Sequence, residues 1–157
     1  MFKEYLINNL DIDLENINSD TEIAENCGNI LKNVGLGKET DVCFNYALKN
    51  KKLDYVEEGV EFLRKNYRNI DFENVRTGDI IIFKDDYDYL HFARVRYKNK
   101  NINDLIIRAK FGGLGIYEHR LGDTPGFYGH RVEFWRKNKI IKKLFSKKVV
   151  SCCGTKK

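Results

Sequence analysis

The chain has 157 residues, of which 42% are hydrophobic, 32% are charged and 13% are aromatic, with a single proline. This composition is typical of one globular domain with a substantial core, and it excludes collagen, low-complexity disorder and a small disulfide-stapled fold. No stretch approaches about 18 uncharged apolar residues, so no membrane-spanning helix is expected. The first ten residues, MFKEYLINNL, lack the apolar run and cleavage site of a secretory signal. We therefore expect a cytoplasmic protein.

The net charge of +5 is unevenly distributed along the chain. Nine basic residues and no acidic residue occur from Arg136 onward, and removing these nine charges from +5 leaves the first 135 residues at −4. A mildly acidic body is not the composition of a nucleic-acid-binding domain. No nucleic-acid partner is therefore expected.

The N-terminal part of the chain is predicted to be helical. Apolar residues recur at helical spacing in four segments, which usually indicates amphipathic helices. We predict one helix around Phe2–Leu10, a second over Ile23–Val34 that ends at Gly35, a third from about Val42 with Thr40 or Asp41 as its N-cap, and a fourth over residues 53–68.

After Asn69 the apolar pattern changes to alternation or to short continuous runs, which indicates strands. Five strands are predicted, over Asp79–Phe83, His91–Tyr97, Leu105–Lys110, Ile116–His119 and Val132–Arg136. Helices followed by an antiparallel meander predict an α+β fold, with the N-terminal helices packed on a sheet of about five strands.

Two residues have the chemistry and position for nucleophilic catalysis. Cys43 lies just inside the start of the third predicted helix, where unpaired backbone N–H groups and the helix dipole favour a thiolate. His91 begins a predicted strand, from which its imidazole can reach a helix end and accept the thiol proton. The alternative is that Cys43 is a small core residue beside Val42, Tyr46 and Ala47.

Three short runs resemble the NlpC/P60 superfamily of papain-like cysteine hydrolases. These runs are Asp41-Val-Cys43-Phe-Asn45-Tyr46-Ala47-Leu48, Gly78-Asp79-Ile-Ile-Ile-Phe83 and His91-Phe-Ala93-Arg-Val95. A further run from Ala109 to Arg136, with Lys110-Phe-Gly112, His119, Pro125 and Tyr128-Gly129, is similar to a less characterised branch. The resemblance covers about residues 41–136. It implies a papain-like core without a cofactor or metal, with Cys43 as the nucleophile and His91 as the general base and acid.

The superfamily also uses a third polar residue, on the strand after the histidine strand, to orient the imidazole. Here that strand reads Ile106–Lys110, and Arg108 and Lys110 cannot accept a hydrogen bond from an imidazole. His119, one strand later, is the remaining candidate, and the alternative is a half-buried histidine hydrogen-bonded to backbone. Without an orienting residue, catalysis would be weakened or the chain would be a degenerate enzyme.

We expect the chain to have three parts: a helical extension over 1–40, the hydrolase core over 41–136, and a basic tail over 137–157. One helical face of the tail is apolar and flanked by lysines, and it consists of Ile140, Ile141, Leu144 and Phe145. This pattern favours binding to an anionic membrane surface. Cys152 and Cys153 are candidate sites for fatty acylation. The alternative is a C-terminal helix packed on the domain.

The sequence therefore predicts a cysteine peptidase or amidase that acts on a peptide or amide substrate through a thioester, and acyl transfer remains open. The rival prediction is a catalytically inert module, membrane-peripheral or interacting, that docks through residues 137–157.

Overall fold

A computed structural model describes residues 3–8, 31–35, 42–50, 52–112 and 114–138. Within these ranges the chain forms two α-helices and eight strands. The helices are α1 (Cys43–Leu48) and α2 (Val56–Asn66). The strands are β1 (Tyr5–Leu6), β2 (Lys32–Gly35), β3 (Tyr67–Ile70), β4 (Ile80–Lys84), β5 (Tyr89–Tyr97), β6 (Ile106–Lys110), β7 (Ile116–Arg120) and β8 (Arg131–Lys137). No helix in these ranges is long and apolar enough to cross a bilayer.

All eight strands belong to one antiparallel sheet, in the order β1-β8-β4-β5-β6-β7-β2. Strand β3 also pairs with β8, beyond the short stretch that pairs with β1. The fold is thus α+β, as the sequence predicts, but it is richer in strands than the expected five.

The predicted N-terminal helices are wrong wherever that part of the chain is described. Residues 5–6 pair with β8, and residues 32–35 pair with β7. Around β1 the burial alternates with period two, because Ile7 is buried, Tyr5 packs against the core and Leu6 is 70% exposed. The described pieces of the expected helical extension over 1–40 therefore add strands to the sheet, and the rest of that range lies outside the described residues.

The elements from α1 onward follow the sequence prediction closely. The helix predicted over 53–68 is observed as α2, and its expected last residues instead begin strand β3 at Tyr67. The five predicted strands are observed as β4 to β8. Val42 is the N-cap residue of α1 and makes no side-chain cap hydrogen bond, while the expected caps at Thr40 and Asp41 lie outside the described residues.

The sheet is buried on both faces, and each face has its own core. Ile80, Ile81, Ile82 and Phe83 of β4 are all inaccessible to solvent, and alternate residues contribute to opposite cores. The helix-side core contains Phe44, Ala47, Leu48, Val60, Leu63, Tyr67, Ile80, Ile82, Phe92 and Trp135. The strand-side core contains Ile7, Leu31, Ile70, Val75, Ile81, Phe83, Ala93, Val95, Leu105, Ile107, Ala109, Phe111, Tyr117, Leu121, Val132 and Phe134.

Candidate functional site

Cys43 is the first residue of α1, and two contacts hold this helix against β5. The Phe44 ring meets the Phe92 ring edge-on, with centroids 6.2 Å apart. At the other end of the helix, the Arg94 Nε donates to the Ala47 carbonyl at 2.5 Å. A cationic side chain thus hydrogen-bonds one of the last carbonyls of the helix, which have no partner within the helix. Both contacts use residues of β5 that follow His91, so the start of α1 is placed beside the start of that strand.

The Cys43 thiol lies at a gap between β5 and β6. Val95 donates its N–H to Asp79 on the β4 side, and amides alternate along a strand, so the Phe92 N–H faces the β6 side. Pairing of β5 with β6 begins only at Ala93, which leaves the Phe92 N–H without a strand partner there. That amide lowers the pKa of the Cys43 thiol.

Burial governs the protonation of this thiol. It raises the pKa of Cys43 to about 11, and the backbone hydrogen bonds from Phe92, Phe44 and the Cys43 amide itself only partly oppose the increase. The helix behind the sulfur has six residues, so its dipole is short. The backbone N–H groups at the helix start thus favour the thiolate, in the expected direction, but desolvation outweighs them and the thiol is neutral at pH 7.

The His91 imidazole is buried among aromatic rings of the strand-side core, on the face opposite to Phe92. Its ring stacks on Tyr128 with centroids 3.9 Å apart, and it lies 5.5 Å from the Phe83 ring and 5.6 Å from the Phe111 ring. The residue is 2% exposed, and its Nε2 has no hydrogen-bond partner in the described part of the chain. Burial, with a smaller contribution from the charge of His119, lowers the pKa of His91 to about 3.

Tyr128 links the two candidate residues, and its importance is not evident from the sequence. Its ring stacks on His91, while burial, reinforced by the charge of Cys43, raises the pKa of its phenol. Thus Tyr128 stacks on the His91 ring and is also influenced by the charge of Cys43, which α1 carries on the helix side of the sheet. The only sequence signal is the Tyr128-Gly129 pair in the run that resembles the NlpC/P60 branch.

His119 enters the same aromatic cluster, but among the described residues it makes no hydrogen bond that would orient His91. Its Nδ1 donates to the Arg120 carbonyl at 2.8 Å, and its Nε2, like that of His91, has no partner among the residues the structure describes. The Phe111 ring is 5.6 Å from each of the two imidazoles. Burial lowers the pKa of His119 to about 4, so this histidine is also neutral at pH 7. The hydrogen bond from His119 to the Arg120 carbonyl corresponds to the alternative to an orienting role, a histidine hydrogen-bonded to backbone.

Metal ions require a set of donor side chains. The described ranges contain no group of three or more histidine, cysteine, aspartate or glutamate side chains that could hold a metal ion. The candidate site therefore consists of Cys43, His91 and Tyr128, with His119 behind Phe111.

A cleft of about 510 Å³ opens on the helix side of the molecule, and none of the three sequence-predicted site residues lines it. Its wall includes Tyr89 and Leu90, which immediately precede His91, and Val56, which packs in the same core as Cys43. The cleft is thus a neighbour of the candidate site and is separate from it.

The fold and the site together define a strand-rich α+β domain with a partly buried cysteine at a helix start and a buried histidine stacked on a tyrosine. Comparisons with protein-family models, with curated proteins and with solved structures found no match to this chain.

Proposed function

We propose that the protein is a cysteine hydrolase, a peptidase or amidase, with Cys43 as the nucleophile and His91 as the general base and acid. The observation that carries this proposal is the thiol at the β5–β6 gap. The amide that follows His91 lowers the pKa of this thiol, and the charge of Cys43 raises the pKa of Tyr128, whose ring stacks on the His91 imidazole. The proposal requires these two reactive groups, from distant parts of the sequence, to come within reach of one another at the start of α1.

Both groups begin the reaction neutral. The unpartnered Nε2 of His91 is a free acceptor for the Cys43 proton, and the thiolate and imidazolium that result attract each other strongly in a buried setting. The sulfur attacks the substrate carbonyl carbon, and a C–S bond forms. The C–N bond then breaks, and the leaving amine takes the proton from His91. Water, deprotonated by His91, attacks the thioester, and the acid product leaves with Cys43 restored as a thiol.

The arrangement of elements also supports a papain-like core of the NlpC/P60 type. A cysteine at a helix start, a buried Gly-Asp-led strand and a histidine strand occur in that order, and the helix packs across the sheet. A cytoplasmic location remains a prediction from the sequence.

The experiment is an amide-hydrolysis assay with the full chain and a library of fluorogenic aminoacyl amides. The proposal expects hydrolysis of at least one substrate, and Cys43→Ala should lower kcat/KM by at least about 1,000-fold, because the covalent step is lost. His130→Gln is the matched control, since His130 is exposed and outside the aromatic cluster. Equal activity of the wild type and Cys43→Ala would contradict the proposal.

A second candidate function is the catalytically inert module. It is favoured by one observation: the open cleft is lined neither by Cys43, which is partly buried, nor by His91, which is fully buried. In that case the chain would act through its surfaces, including the basic tail and an anionic membrane. Residues 139–157 lie outside the described ranges, so docking through the tail stays a prediction.

A further inference from the structure

The cleft has one helical wall and one loop wall, and both combine apolar and acidic residues. On α2, Val56 and Val60 alternate with Glu57 and Glu61, one helical turn apart, so the four side chains line the same side of the helix. The opposite wall is the segment that enters β5. The full lining is Val56, Glu57, Val60, Glu61, Arg64, Tyr87, Asp88, Tyr89 and Leu90.

The charge of this cleft is predominantly negative. Glu57, Glu61 and Asp88 form no ion pair with any residue that the structure describes, whereas most other clustered carboxylates on the surface do. Its single cation, Arg64, is engaged with the loop wall: NH2 donates to the Tyr89 hydroxyl at 2.9 Å, and the guanidinium lies 5.5 Å from the Tyr89 ring centroid. An occupant that complements this surface carries several positive charges and apolar side chains.

The C-terminal tail of this chain, residues 139–157, is such a segment, and it follows a residue that is hydrogen-bonded to the end of α2. The Asn138 N–H donates to the carbonyl of Asn66, the last residue of α2, at 2.9 Å. Residue 139 therefore starts at the C-terminal end of the helix that forms the cleft wall. From Asn66 back to Glu57 is about 14 Å along the helix axis at 1.5 Å per residue. The 19 residues of 139–157 can span about 60 Å when extended, so they reach the whole cleft.

We propose that residues 139–157 of this chain dock in the cleft between α2 and the segment 87–90. The tail supplies Lys142, Lys143, Lys147 and Lys148 to the unpaired carboxylates, and Ile140, Ile141, Leu144 and Phe145 to the apolar wall. Docking places the basic tail against the acidic body, so that their opposite charges compensate each other. It requires no catalytic activity, so it is independent of the hydrolase proposal.

The experiment follows trypsin cleavage after Lys147 and Lys148 in the full chain by mass spectrometry. Docking protects the tail, and the double variant Glu57→Lys with Glu61→Lys should accelerate this cleavage about tenfold. The matched control is Glu73→Lys, an exposed acidic residue outside the cleft, which should leave the rate unchanged. Near-ultraviolet circular dichroism checks that each variant retains the fold.

A charge swap makes the test specific. Adding Lys142→Glu and Lys143→Glu to the double variant should restore protection, because opposite charges face each other again. Equal cleavage rates in the wild type, the double variant and the control would overturn the proposal. Protection that appears only with phosphatidylserine vesicles and ignores Glu57 and Glu61 would also overturn it, in favour of a membrane surface as the partner of the tail.

Discussion

Burial sets the protonation of the candidate residues more strongly than any neighbouring charge. Cys43 keeps its proton because its sulfur is desolvated, and His91 and His119 stay neutral because their rings lie among Phe111, Tyr128 and the strand-side core. In the proposed reaction, a neutral thiol and a neutral imidazole require the proton to move during attack. The residue types are therefore suited to general-base catalysis and not to a preformed ion pair.

The buried histidines predict a loss of stability in acid. The pKa of each is about 6.5 in the unfolded chain but falls to about 3 for His91 and about 4 for His119 in the fold. Below pH 6.5 the unfolded state therefore binds more protons than the folded state. The free energy of unfolding should fall by up to about 1.4 kcal/mol per pH unit for each histidine between pH 6.5 and about 4.

Urea unfolding at pH 7, 6 and 5 measures this dependence. His119→Gln should remove part of the slope by eliminating one buried titrating group, whereas the exposed His130→Gln should keep the wild-type slope. If His119→Gln and the wild type lose stability equally with falling pH, the burial argument for His119 is wrong.

At the scale of single elements, the local spacing of apolar residues is sufficient to predict a helix or a strand where the segment is long and periodic. In helix α2 and strands β4 to β8 the apolar residues recur at the period of a helix or a strand or form a short buried run, so the sequence predicts these elements well. Strand β1 has two residues and β2 has four, too few to distinguish a period of two from one of 3.6. Their identity comes from pairing with β8 and β7, which local sequence does not contain.

The Gly78-Asp79 pair illustrates a motif whose role is structural. Arg136 of β8 donates from Nε to one Asp79 oxygen at 2.9 Å and from NH2 to the other at 2.6 Å. Arg76 adds a backbone N–H to the same carboxylate at 2.9 Å. This forked contact ties the start of β4 to the end of β8, so in this chain the motif fixes the sheet that carries His91.

Gly129 is the residue that positions Tyr128 over His91. It has φ 96° and ψ 156°, a region that side chains avoid, and an added Cβ would overlap the Lys84 carbonyl. Gly129→Ala should lower the free energy of unfolding by about 2 to 3 kcal/mol. It should also displace Tyr128, because the turn must open.

The measurement is urea unfolding, with Gly35→Ala as the control. Gly35 has open space around it and an ordinary φ, so its change should stay within about 1 kcal/mol. Equal effects of the two substitutions would show that the close approach of Gly129 to β4 is unimportant.

At the scale of the whole molecule, the candidate site depends on long-range assembly. Cys43 and His91 could be singled out from the sequence because a cysteine at a helix start and a histidine at a strand start are local features. Their burial could not, because it is produced by Phe111 and Tyr128 from segments twenty or more residues further along the chain. The absence of a His91–His119 hydrogen bond likewise follows from Phe111 lying near both rings.

The proposed reaction requires communication between the two faces of the sheet. Phe92 and His91 project to different cores, and the Phe92 N–H lies just before the point where the described pairing of β5 with β6 begins at Ala93. The central claim of the proposal is that the Cys43 proton passes to His91 at this point.

The rate at which iodoacetamide alkylates Cys43, followed by mass spectrometry of its peptide from pH 5 to pH 10, tests that claim most directly. Transfer to His91 leaves the proton count unchanged, so this route is independent of pH and the wild-type rate should rise clearly less than tenfold per pH unit between about 5 and 8. In His91→Gln the rate should instead rise about tenfold per pH unit towards the thiol pKa of about 11. A wild-type profile that rises tenfold per pH unit, identical to that of His91→Gln, would contradict the account.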